Sequence, residues 1–476
     1  MVIGLKARNP KTKKGGIIMM KLLKRENHLK RREELVRKVW RFFLVLVLSI
    51  SLVYLPSFSF GGEVDILLEK LVEKGLLTNQ DAESILKEIK NETAKKEKEK
   101  ETQKAVTKES EVTKDTEVPK WAKDILKEIP DWVKNVKFRG DLRLRYQWED
   151  KEDDNKDDRH RGRFRLRLGA ETNIVKEVKV GFGIASGSGD PRSTNITFGN
   201  SSEKKTVVID YAFAQYTPVN WFSLIAGKIH NPIYRPSDLL WDSDITPEGI
   251  AAKFQYPILP KIDVFFNTGI FILDERDTTT SSKDPYMVVL QPGMNWKITE
   301  DINFQLAFAY YFFGGVKGNT LDYSSNSNTL LSGPTRLKYK YNAPVVSAEF
   351  GYKNPFGLNF IPYSGLFGEY VYNPDPSKNN EGFIAGLRVG HRDLKKFADW
   401  SFEYSYRQLK KDAWLDIIPD SDFYGGATNV KGHEVIFNFA LWKNIWLSLD
   451  YYNSRKILGT PKQTENLLQV DFNFKF

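Results

Sequence analysis

Not one of the 476 residues is cysteine. That absence removes a disulfide scaffold, a thiolate metal site and a thiol nucleophile from consideration. Histidine is nearly as scarce. His28, His160, His230, His391 and His433 are the full set, and they show no metal-ligand spacing. No G-x-S-x-G elbow, phosphate loop or dinucleotide fingerprint occurs. The acidic run Glu149 to Asp158 is without the glycine and ligand spacing of an EF-hand, so it reads as a solvated loop. A basic excess is also missing once its place is known. The net charge is +10, but residues 1–60 hold 14 of the 71 Lys/Arg and 3 of the 61 Asp/Glu. The remainder carries 57 basic against 58 acidic residues, and a nucleic-acid partner loses its support.

Long apolar runs are absent as well. The run Phe42 to Pro56 falls short of the roughly 20 residues that a spanning helix needs. It follows Arg37, Lys38 and Arg41 and ends in Ser57-Phe58-Ser59-Phe60-Gly61-Gly62, the layout of a secretory signal peptide, with an uncleaved anchor as the alternative. The basic stretch before it is long, which leaves Met19 or Met20 as alternative starts. Residues 61–90 predict a short helical hairpin: Leu67, Leu68, Leu71 and Val72 form one stripe, Gly75 ends it, and Thr78 caps the second helix. Cell-wall contact, a stalk of coiled-coil type and a plain spacer remain open for it. Residues 91–118 form a charged linker, and 119–135 an amphipathic helix with Trp121, Ile125, Leu126 and Ile129 on one side.

From Val136 onward the pattern changes to period two, the signature of strands with one greasy and one wet face. Val136, Phe138, Leu142, Leu144, Tyr146 and Trp148 alternate with Lys137, Arg139, Asp141, Arg143, Arg145 and Gln147. Sixteen such segments follow one another to the chain end, faintest at 221–228 and 286–296. Connections alternate long and short, ending with the tight Lys443-Asn444 turn. An even strand count with this rhythm predicts an all-β, antiparallel up-and-down β-barrel over 136–476.

Alternation alone does not say which face meets water. Sixteen strands enclose a space too wide for side chains to fill, so the polar face must line the lumen and the apolar face must meet lipid. Aromatics beside the short turns support this: Trp132, Tyr216, Trp221, Tyr256, Trp296, Tyr352, Trp400, Trp442 and Trp446 suit a membrane interface. The last residues make the same point. Leu468, Val470, Phe472, Phe474 and Phe476 share one face, and the chain stops on an aromatic.

On these residues the chain resembles bacterial outer-membrane porins, and more narrowly the family labelled putative porins. The terminal Val470 to Phe476 is similar to the signal read by the barrel-assembly machinery of Gram-negative envelopes, with Phe472, Phe474 and Phe476 carrying it. Asp238 to Lys253 resembles that family as well. The resemblance implies a barrel in outer-membrane lipid, an N-terminal segment in the periplasm, small hydrophilic solutes as cargo, no cofactor and no enzymatic activity. A homotrimer is expected by analogy alone, and contact with peptidoglycan stays open as one reading of the N-terminal hairpin.

The candidate site lies inside. Lys137, Arg139, Arg143, Arg145, Arg163, Arg165 and Arg167 would share one wall of the lumen, and like charges facing across a ladder are unfavourable. In porins of the resembled kind the third long loop folds inward. Here that is His230 to Glu248, with Asp238, Asp242, Asp244 and Glu248, and Asp242 and Asp244 are expected to face the arginines. The alternative is that the arginines pair with Asp141, Glu171 and Asp471 and only brace the barrel. Two rival functions remain: an anchor acting through the N-terminal helices, and an outer-membrane enzyme. The enzyme would need acids with histidine at one rim, whereas His160 and His391 fall at opposite ends.

Overall fold

The computed structural model describes residues 130–152, 157–276, 283–331, 336–460 and 463–476. The expected signal region 1–60, hairpin 61–90 and linker 91–118 lie outside the described residues. So does the 119–135 helix, except for a short helical turn, α1 (Asp131–Lys134).

In chain order the strands are β1 (Lys137–Lys151), β2 (Arg159–Val175), β3 (Val178–Ser186), the two-residue β4 (Ile196–Thr197), β5 (Val207–Val219), β6 (Phe222–Lys228), β7 (Glu248–Leu259), β8 (Ile262–Ile272) and β9 (Tyr286–Lys297). They continue with β10 (Ile302–Gly314), β11 (Ala343–Lys353), β12 (Tyr363–Tyr372), β13 (Glu381–Gly390), β14 (Trp400–Leu409), β15 (Val430–Trp442), β16 (Ile445–Lys456) and β17 (Thr464–Lys475). All but β4, which only patches the edge of β2, are staves of one antiparallel ring. Each stave falls where the alternation predicts it. The faint segments form β6 and β9, whose pattern is diluted by Gly227, Pro292 and Gly293.

The ring closes through β1 and β17, paired from Asp141↔Lys475 to Lys151↔Glu465. Closure removes the sheet edge, as lipid requires. Polarity is reversed relative to a soluble protein. Phe138 is 80% exposed and Phe182 60% on the outside, whereas Arg145 is 4% and Asp471 1% exposed on the inside. Tyr216, Trp221, Tyr256, Trp296, Tyr352 and Trp442 are exposed beside the short turns. Trp400 is half-buried and stacks on Phe437 at 6.4 Å. Barrels of this class place short turns in the periplasm and long loops outside.

One expectation needs correction. The lumenal face is not polar throughout. Phe271, Met287, Val289, Tyr311 and Phe313, inward on β8, β9 and β10, are buried with Leu239, Leu240, Trp241, Trp414, Leu415 and Ile418 in one apolar cluster. These partners belong to loops 229–247 and 410–429, which turn into the barrel and join loop 315–342. A barrel with its own loops folded inside needs apolar wall where they dock. The hydrophobic effect therefore works inside the upper lumen as it does in a soluble core.

Candidate channel lining and constriction

The seven cations fall on the inner faces of β1 and β2, in register: Arg143 opposes Arg165, and Arg145 opposes Arg163. Repulsion between them is offset by four carboxylates. Asp141 accepts from Arg165 and Arg167, both at 2.8 Å. Asp471, across the closing seam, accepts two bonds from Arg145 at 2.7 Å and lies 3.2 Å from Arg143. Asp244 reaches Arg167 at 3.4 Å and Arg165 at 4.0 Å, and Asp422 reaches Arg145 at 3.2 Å. Arg163 bonds to Gln147 at 3.0 Å and to the Asn195 carbonyl at 3.2 Å. Lys137 and Arg139, nearest the short-turn rim, are exposed, and neither has a hydrogen bond or ion pair among the described residues. Glu171 does not join the arginines; it sits 3.9 Å from Lys179 and 4.0 Å from His230.

The four acids expected on the third long loop separate. Only Asp244 faces the arginine wall, where Thr194 also donates to it through N–H and hydroxyl, both at 3.0 Å. Asp242 turns away: its carboxylate accepts the N–H groups of Asp244 at 2.9 Å and Ser421 at 2.8 Å, between two loops. Burial pushes its carboxyl up to about 8, with the Asp244 charge adding, although the two N–H bonds pull the other way. Asp238 pairs with Arg407 on β14 at 2.7 Å. Glu248 is the first residue of β7 and bonds Lys228 at 3.0 Å, on the outer face with Ile250. Four acids spaced along a loop look alike in sequence, but the folded loop sends them to different partners.

Loop 229–247 crosses to distant staves. Gln291 on β9 bonds the Tyr234 backbone through both amide atoms at 2.8 Å. Ser237 donates to Glu369 on β12 at 2.9 Å, and Arg388 on β13 donates to the Pro236 carbonyl at 2.6 Å. With Asp244 on the β2 wall and Asp238 on β14, the loop touches both sides of the lumen.

A second inward loop, 410–429, was not singled out in sequence. Trp414 is fully buried and donates to the Leu240 carbonyl at 2.9 Å, and the Asp242 N–H donates to the Ile418 carbonyl at 2.8 Å. Asp416 accepts from Ser324 at 2.9 Å and from the Ser327 backbone at 2.7 Å, tying loop 315–342 to the same knot. The missed signal is the run Ala413-Trp414-Leu415-Asp416-Ile417-Ile418, which parallels Leu239-Leu240-Trp241-Asp242. Apolar residues in a long barrel loop have only the interior in which to hide from water.

Arg388, Glu403, Arg407 and Glu434 were missed too. Arg407 is buried among Asp238, Asp420 at 3.3 Å and Glu434. Those three carboxylates come within 4.8 Å of one another, but the guanidinium already occupies their centre. Burial and the Asp238 charge push Asp420 well above the usual carboxylate range. Burial also opposes the charge of Asp422, yet Arg145 and the other donors around it hold its carboxyl below the usual range. His230 stacks on Tyr211 at 4.4 Å. Burial lowers its pKa, Arg167 and Arg139 add to that, and Glu171 and Asp210 oppose it. At the long-loop end His160 bonds Tyr146 at 2.8 Å, and at the short-turn rim His391 lies 3.3 Å from Asp399.

Comparison with known proteins agrees with this architecture. OprB of Pseudomonas putida superposes with a TM-score of 0.50 at 12% identity, over 75% of this chain and 96% of that one. OmpF of Salmonella typhi covers 72% and 98% at 12% identity, with a TM-score of 0.43. The outer membrane channel DcaP of Acinetobacter baumannii covers 72% and 97% at 13% identity, with a TM-score of 0.41. No curated protein matches the chain. The profile of one family, described as "putative porin", matches residues 107–157, 150–349 and 356–476. With most of the sequence matched and a closed 16-stave barrel beneath it, this chain belongs to the putative porin family of outer-membrane channels.

Proposed function

We propose that the protein lets small hydrophilic solutes diffuse passively through a water-filled barrel, past a constriction where loop 229–247 meets the β1–β2 wall. The observation that carries this reading is the contact of Asp244 with Arg165 and Arg167. One acid of the inward loop opposes a stacked basic wall while the rest of the loop is held against the far staves. Such a charged ring sorts ions at short range. The paired arginines, Arg143 and Arg167 among them, brace the wall, and the exposed Lys137 and Arg139 face the permeating solute. Phe472, Phe474 and Phe476 serve as the signal read by the barrel-assembly machinery, and the N-terminal segment stays in the periplasm.

Reconstitution of the purified protein into planar bilayers tests the proposal. Stepwise conductance is expected. A barrel that inserts stably in the bilayer and never conducts would overturn it and favour a purely anchoring role.

A further inference from the structure

The sign of the lumenal field follows from which charges have partners. Among the described residues most acids near the lumen are held by donors, the exceptions being Asp210, Asp263 and Asp450. Asp141 and Asp471 hold four arginines of the wall. Asp244 lies on Arg165 and Arg167, and Asp238 on Arg407. Glu349 and Glu403 both bond Arg388, at 3.0 and 2.7 Å. Glu369 takes the hydroxyls of Ser237 and Ser347, each at 2.9 Å. Asp242 is spent on backbone N–H groups, and Glu248 faces outward with Lys228.

The cations are not balanced in the same way. On the β1–β2 wall seven cationic side chains meet five carboxylates, Asp141, Asp244, Asp422, Asp471 and Glu171, the last opposite Lys137 in register and shared with Lys179 and His230. Asp450, behind Arg145, adds one more negative charge at longer range. The surplus sits at Lys137 and Arg139. Lys253, on the inner face of β7 opposite Asn267, is a third exposed cation with no ion pair among the described residues. Against these three stands Asp263, inward at the short-turn end of β8. Exposed charges lining a water-filled path act on passing ions over about one Debye length, near 8 Å at physiological salt.

Resting on the porin reading above, we infer that the channel prefers anions, with Lys137, Arg139 and Lys253 setting the preference. Small solutes bearing a carboxylate or phosphate are the class it passes best. Arg139 presents a free guanidinium, the group suited to bidentate contact with such anions. The buried Arg145 and Arg165 do not serve this purpose, because Asp471 and Asp141 already hold them.

Reversal potentials across a potassium chloride gradient test the inference in the bilayer used for conductance. The wild type is expected to give a chloride-to-potassium permeability ratio above one. The double variant Lys137→Glu/Arg139→Glu is expected to lower that ratio by about fivefold or more, for charges acting through water at roughly 7 Å. Neither side chain makes a hydrogen bond or ion pair among the described residues, although Lys137 stands opposite Glu171, and single-channel steps of the double variant confirm that it has folded. A wild-type channel that conducts but favours potassium, or shows no preference, overturns the inference while leaving the porin reading intact. A chloride preference unchanged in the double variant overturns the assignment to these residues. Failure of every form to conduct overturns both readings.

Discussion

Replacing Asp471 by alanine tests how the barrel is closed. Asp471 is 1% exposed on the last strand and holds Arg145, itself 4% exposed, on the first. The substitution would leave Arg145 with Asp422 at 3.2 Å, and Arg143 with Asn473 at 3.1 Å. Breaking a buried pair by removing one partner costs roughly 3–5 kcal/mol, because the other charge stays buried. With Asp422 retained, the lower end, about 3 kcal/mol, is expected for Asp471→Ala. At a urea dependence of about 3 kcal/mol per molar, the unfolding midpoint in lipid vesicles would fall by about 1 M. The double variant Arg145→Met/Asp471→Ala should regain much of that loss, since neither charge is then stranded. Unfolding followed by tryptophan fluorescence measures both. A single variant within about 0.5 kcal/mol of wild type, or a double variant no better than the single, would refute the reasoning.

Three further outcomes follow from the same contacts. Trp414 packs edge-on against Tyr311 at 4.8 Å and Phe313 at 5.3 Å, so Trp414→Ala should cost the inward loops about 3–5 kcal/mol and raise single-channel conductance; unchanged conductance would count against a loop-filled lumen. Asp242, raised to about 8, keeps its proton in the folded loops at pH values where the unfolded chain has already lost it. The loop contact is therefore firmest near pH 4 and weakens as pH rises to about 8, and Asp242→Asn should flatten that dependence in pH-resolved proteolysis of the loops. A Cβ on Gly140 would run into the Phe476 ring, which lies across it while the two backbones exchange hydrogen bonds of 2.7 and 2.9 Å. Gly140→Leu and deletion of Phe476 should both lower the folded fraction in the outer membrane, and normal levels of either would contradict a seat for the terminal ring.

The staves were legible because a lipid-facing strand writes its two faces directly into alternating residues. Even β6 kept Phe222, Leu224 and Ala226 on one side. The closing pair was legible too, since an up-and-down ring leaves β1 as the neighbour of β17 on the side away from β16. The interior was less so. Nothing in the spacing of Asp238, Asp242, Asp244 and Glu248 says that one meets β2, one β14, one a neighbouring loop and one the outer face. That outcome is set by where Leu239, Leu240 and Trp241 find apolar wall on β8 to β10. Loop 410–429 escaped notice because its apolar run is short and lies between acids, the surroundings expected of a solvated loop. The partners Asp422 and Asp420 went with it. Buried arginines such as Arg145 and Arg407 resemble exposed ones until their carboxylates arrive from distant sequence.

The central claim is that one face of each stave meets water and the other lipid, and the absence of cysteine makes it testable without background labelling. Lys253 and Ile250 lie three positions apart on β7, the first inward and exposed, the second outward and 55% exposed. A charged methanethiosulfonate reagent applied to channels conducting in a bilayer should modify Lys253→Cys and change its current within minutes, and leave the Ile250→Cys channel unlabelled and its current unaltered. Rapid modification of Ile250→Cys from water, with Lys253→Cys inert, would contradict the account.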